Sequence, residues 1–214
     1  MRAFYGDEGL RQQIIGEMKA HIAADELVQY YGYWRDGKGC MLGCLTGLNE
    51  GTHEAFESRA NIPLSLGWVF DSMFQGLPKE DARAFPMQVL ESIQAGADLA
   101  HVATRFVMFV LGDVKRYADD AGKVAIDTCV ALYCRRLNND EPSKGEWFTA
   151  ESAAWSADWS ADWSAAESAA ESAARSAAES AAESAAWSAA RSAARSAAWQ
   201  KYRDELLRLL REAK

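Results

Sequence analysis

Three pairs of polar residues stand four positions apart in the N-terminal part of the chain: His21 with Asp25, Cys40 with Cys44, and His53 with Glu57. On a helix each pair would share one face, because residues i and i+4 lie one above the other. If the three segments converge, Cys40, Cys44, His21 and His53 make a tetrahedral zinc set, although Cys-x-x-x-Cys on a helix is a weaker signal than paired Cys-x-x-Cys knuckles. The same residues allow a catalytic thiol. Cys40 would sit near a helix N-terminus beside Lys38, where a thiolate is favoured, with His21 or His53 as base. Against both stands a structural reading, in which the cysteines are small buried residues and the histidines are hydrogen-bonded. Buried free cysteine is common, and this reading carries more weight than either chemistry.

The same region suggests a third use, without bond-making. Arg35-Asp36-Gly37-Lys38-Gly39 is a turn by composition, and Cys40 to Leu45 reads as a short helix entered through it. The amides of Gly37 to Cys40, with Arg35 and Lys38 beside them and Tyr30, Tyr33 and Trp34 as an aromatic lid, are suited to an anion at a helix N-terminus. Tyr33, Trp34, Arg35, Lys38, Gly39 and Cys40 are therefore the ligand-binding candidates, and a nucleotide-like anion is the ligand they would take. The turn is not a P-loop, since Gly39 follows Lys38 where Ser or Thr is needed.

Helices must carry these residues. Leu10, Ile14, Ile15, Met18, Ile22 and Leu27 recur at helical spacing, which predicts a helix from Asp7, as N-cap, to Gln29. Thr52 caps a turn containing His53 and Glu57, and Asn61-Ile62-Pro63 leads into a core helix bearing Leu64, Leu66, Trp68, Val69, Phe70, Met73 and Phe74. Gly76-Leu77-Pro78 breaks the chain, Pro86 suits a first helical turn, and further helices are predicted over 98–111 and 121–137. No segment alternates convincingly as a strand. The predicted fold is all-α: a globular domain over 1–140, a linker and helix entry over 141–150, and a long helix over 151–214.

That last segment is twelve copies of a tetrad, x-Ser-Ala-Ala, with Asp158 and Asp162 as the departures outside x. Ala, Glu and Arg favour helix. A period of four against about 3.6 residues per turn makes the large residues drift round the cylinder, so the helix supercoils right-handedly or its stripe winds. Trp155, Trp159, Trp163, Trp187 and Trp199 mark that stripe and are candidates for packing on the domain or for self-association as an oligomer. After Trp199, Tyr202, Leu206, Leu209 and Leu210 form an ordinary amphipathic face that needs a partner surface.

Composition narrows the function classes. With 31 acidic and 23 basic residues the net charge is −8, which argues against binding to the phosphate backbone of nucleic acid. The most apolar stretch, 103–112, contains Arg105 and is too short to cross a bilayer, and the N-terminus lacks the apolar segment of a signal peptide. A cytoplasmic protein of a bacterial host, with four free cysteines and no disulfide framework, is expected.

The runs His21-Ile-Ala-Ala-Asp25-Glu-Leu-Val-Gln29, Trp34-Arg-Asp-Gly-Lys-Gly-Cys40-Met-Leu-Gly-Cys44, Phe74-Gln-Gly-Leu-Pro78 and Gly96-Ala-Asp-Leu99, with His53, Glu57 and Ile62-Pro63, resemble a family of uncharacterised bacterial and phage proteins. Those proteins often carry an alanine-rich tetrad tail. The tail separately resembles tetrad tracts in immunity proteins of bacterial toxin systems. The resemblance covers about residues 17 to 115 and implies no site residues. The expectation is a binding protein without catalysis or cofactor, acting between phage and bacterium on a host protein or a small anion. A cysteine- or metal-dependent enzyme and a structural oligomer built by the repeat helix are the two competing classes.

Overall fold

The computed structural model describes residues 1–46, 52–118, 120–156 and 185–214, with backbone alone over 151–156 and 185–193 and at Tyr117 and Ala121. The helices are α1 Glu8–Ala23, α2 Met41–Thr46, α3 His53–Ala60, α4 Leu64–Gly76, α5 Lys79–Ser92, α6 Val102–Val114, α7 Asp120–Leu137, α8 Lys144–Ser156 and α9 Ala185–Glu212. The class is all-α, as the apolar spacing predicts. One antiparallel hairpin, β1 Trp34–Arg35 with β2 Lys38–Gly39, was not expected. Strands of two residues are too short to alternate. Their signal is the Asp36-Gly37 dipeptide, whose φ values of +51° and +75° make the two-residue turn that matches strand twist.

The chain divides into two compact units, Met1–Ala103 with Trp199–Lys214, and Thr104–Ala198. These boundaries differ from those read in the sequence: the amphipathic end after Trp199 belongs with the N-terminal unit.

In the first unit α1 starts as expected, with the Asp7 carboxylate accepting from the Gly9 and Leu10 amides at 2.7 and 3.1 Å. It stops at Ala23, well short of Gln29. Asp25 turns left-handed at φ +57°, and the chain then pairs with β2, Val28 N donating to Gly39 O at 2.8 Å and Gly39 N to Glu26 O at 2.9 Å. Leu27 therefore follows a bridge, not a helical face. Thr52 caps α3 through the Ala55 amide, as read. Pro86 departs from expectation. It lies inside α5, which begins at Lys79 after Pro78 with Glu80 and Asp81 in the first turn, where the macrodipole favours them. Leu42, Phe56, Leu66, Phe70, Phe74, Phe85 and Leu90 fill the core, and Tyr202, Leu206 and Leu210 of α9 join it.

In the second unit α7 packs on α8, with the Tyr133 and Trp147 rings 4.9 Å apart. The polar stretch read as a linker is a tight interhelical turn. Asn139 is left-handed at φ +60°, and Ser143 with Glu146 forms a reciprocal capping box that opens α8. Both described ends of the tetrad repeat, 151–156 and 185–198, are helical. Trp159 and Trp163 lie outside the described residues, as do the side chains of Trp155 and Trp187, and with them the question of supercoiling. No helix among the described residues is long and apolar enough to cross a membrane.

Candidate functional site

The Trp34–Gly39 hairpin returns the chain so that Tyr33 crosses α2. A methyl group on Gly39 or Gly43 would overlap the Tyr33 carbonyl oxygen, so glycine is required at both positions for backbone to lie on backbone. That crossing aims the Tyr33 hydroxyl at His53 Nδ1, 2.7 Å away. His53 is the first residue of α3 and only 2% exposed. Its ring stacks on Trp68 at 3.5 Å and 15°, and Nε2 has no partner among the described residues.

Trp68 lies on the outer face of α4, 47% exposed, with its rear covered by the imidazole. Asp71 and Gln75 continue that face at successive turns, the Gln75 side-chain amide donating to Asp71 Oδ1 at 3.2 Å. Gln75 also holds Tyr30: its side-chain oxygen accepts from the Tyr30 amide at 2.7 Å, and the Tyr30 hydroxyl donates to its carbonyl. Tyr30 is 75% exposed and has φ +60°, a conformation costly for an aromatic residue. Trp68, Asp71, Gln75 and Tyr30 thus form one connected surface.

The residues singled out by spacing are not brought together as a zinc site. His21 Nδ1 meets Glu26 Oε2 at 2.6 Å and its ring abuts Trp34 edge-on, while Asp25 pairs with Arg83 at 2.7 Å. Glu57 accepts from the Leu64 amide at 3.0 Å and caps α4 instead of facing His53. Among the described residues no group of three or more His, Cys, Asp or Glu could hold a metal ion.

Cys40 and Cys44 are buried, and burial pushes their thiols up to about 11 and about 12, the Asp71 carboxylate adding to the effect at Cys40. This opposes the thiolate-favouring helix entry expected of Cys40. The anion cradle is likewise occupied from within: Cys40 N donates to Gly32 O at 2.9 Å, Gly39 N is bound by Glu26 O, and α2 is only six residues long. Arg35 lies over the Tyr31 ring at 4.7 Å, and Lys38 points outward from the hairpin.

Burial holds His53 below the usual histidine pKa, with Asp71 and Glu54 opposing the shift. Below the unfolded value, about 6.5, the unfolded chain therefore binds more protons than the folded one. The stability this confers is complete above that pH and is lost as pH falls through the folded value. Urea midpoints measured on the acid side of neutrality should fall with pH, and more steeply in the wild type than in His53→Gln. Parallel profiles would exclude His53 as the source.

No family model, curated protein or solved structure matches the chain.

Proposed function

We propose that this chain is a non-catalytic binding protein that captures a protein partner through the Tyr30–Trp68 face. The setting, conflict between phage and bacterium, rests on the family resemblance alone. One observation carries the reading: two large aromatic residues stand exposed yet immobilised, Trp68 by the stacked His53 and Tyr30 by both ends of Gln75. Folding ordinarily hides such surface, and Tyr and Trp held in one conformation lose little entropy when a partner covers them. The strained backbone of Tyr30 supports the same view, since strain persists where the surroundings over-determine it.

The competing classes draw less support. A cysteine nucleophile would have to ionise a buried thiol against the shifts at Cys40 and Cys44, and the small-anion reading would need amides that already have partners. Self-association through the tryptophan stripe would depend on Trp155, Trp159, Trp163 and Trp187, because Trp199 is covered within its own unit.

The test is a comparison of the full-length protein with its Tyr30→Ala/Trp68→Ala double variant, both purified gently from bacterial cells and examined by native mass spectrometry. A protein that co-purifies with the wild type and falls at least about tenfold in the folded variant supports the reading. Retention by the variant overturns it. In parallel, native thiol alkylation should label exposed Cys134 quickly and leave Cys40 and Cys44 unlabelled until denaturation. A fast-reacting Cys40 would restore the enzyme.

A further inference from the structure

We propose that Trp68 and Asp71 form a seat for an arginine side chain of the protein partner, an inference that rests on the binding face above and specifies its chemistry. Asp71 is half-buried and has no cationic partner among the described residues; its hydrogen-bonding neighbours are the Gln75 side-chain amide and the Cys40 thiol, both neutral. Other carboxylates of this unit, on Glu17, Asp25 and Asp81, are paired with arginines of the same chain. Asp71 therefore presents a carboxylate with no ion-pair partner among the described residues at a half-buried position, where an incoming cation gains most.

Trp68 adds the second half. It stands one helical turn from Asp71, with one indole face on His53 and its side chain open to solvent. The face of an indole attracts a cation, and a planar guanidinium can lie parallel to it while its N–H groups reach the neighbouring carboxylate. A lysine ammonium, compact and strongly hydrated, satisfies the carboxylate but stacks poorly. The imidazole behind the indole fixes the platform, since His53 is itself anchored by Tyr33. A net charge of −8 steers basic partners toward the chain and repels acidic ones.

The experiment uses full-length protein and the peptide acetyl-Gly-Arg-Gly-amide, with lysine and citrulline counterparts. The readout is the indole N–H resonance of Trp68, assigned through Trp68→Phe. The arginine peptide should shift that resonance saturably at millimolar concentration. The citrulline peptide, which keeps the shape and loses the charge, should bind about tenfold more weakly, and Asp71→Asn should weaken the arginine peptide by about fivefold or more. Equal shifts with citrulline, an undiminished response in folded Asp71→Asn, or no response to the arginine peptide would each overturn the proposal. So would broadening of the Trp68 signal with protein concentration alone, which would place a second copy of the chain on this face. If the peptide has no effect but Tyr30→Ala/Trp68→Ala still loses the co-purifying protein, the arginine seat falls and the binding face stands. If that protein is retained, the face itself falls.

Discussion

Leu206→Ala and Leu210→Ala, made in the full-length chain, should each destabilise the N-terminal unit by about 2 to 5 kcal/mol, and together they should bring it to the edge of unfolding. Both leucines are fully buried, so truncation removes apolar contact and leaves a cavity the helices close only in part. Their helix is held at several points. The Trp199 indole lies against Gly76 so closely that a methyl there would overlap it. Asp81 receives Arg203 at 2.6 Å and Gln200 at 2.7 Å, and Asp98 N donates to Lys214 O at 3.0 Å. The amphipathic face after the repeat thus has its partner surface in its own chain, on α5 and on α4, the helix that carries Trp68. The measurement is hydrogen exchange of the α4 and α5 amides under native conditions, with the exposed Val124→Ala as control. Loss of protection across both helices in the double variant is expected. Unchanged protection would mean that α9 is an appendage. A chain ended near Asp140 lacks this part of the core, so its association would report exposed apolar surface, not the role of the tetrads.

What the sequence revealed and what it hid follow physical lines. Local rules worked where the determinant is local: the Asp7 and Thr52 caps, the Gly76-Leu77-Pro78 break and the apolar stripes of α4 and α6 depend on residues a few positions apart. Two of the i, i+4 pairs are parted by competing partners, whereas Cys40 and Cys44 stay one turn apart at the start of α2. Asp25 lies beyond the end of α1 and finds Arg83, fifty-eight residues on, while Glu57 is drawn to the free amide at the start of α4. Every large apolar residue of α4 reads alike in the sequence, so Trp68 reads as core. The signal that could have separated it is the polar stripe it shares with Asp71, Ser72 and Gln75 at helical spacing. The contact with His53 comes from elsewhere in the chain and leaves no local trace. Gly39 belongs to the turn that reads as an anion cradle, yet what it and Gly43 admit is the backbone of Tyr33. Sequence shows that something must come close to a glycine, but not what.

Gly43→Ala should therefore be among the most damaging single methyl additions in the protein, costing about 3 kcal/mol or more. In an exposed helix the same change is favourable by up to about 1 kcal/mol, because alanine is the better helix former. At Gly43 the added carbon would overlap the Tyr33 carbonyl, and its carbon and Cα crowd the same place. Relief by a side-chain rotation is not available, since the obstacle is backbone on both sides. Either α2 retreats from the core, where Leu42, Cys44 and Leu45 are buried, or the Tyr33 segment lifts. Lifting it pulls the hydroxyl from His53 Nδ1 and loosens the imidazole behind Trp68, so the damage should reach the binding face even in molecules that remain folded. Gly16→Ala is the matched control: it lies within α1, and a methyl there meets nothing within 4 Å. Urea unfolding should show the control unchanged or slightly stabilised and Gly43→Ala with a much lower midpoint. In the folded fraction of Gly43→Ala the Trp68 indole resonance should move toward its unstacked position. A tolerated Gly43→Ala would mean that Tyr33 does not cross α2 there, and the positioning of His53 and Trp68 would need another cause.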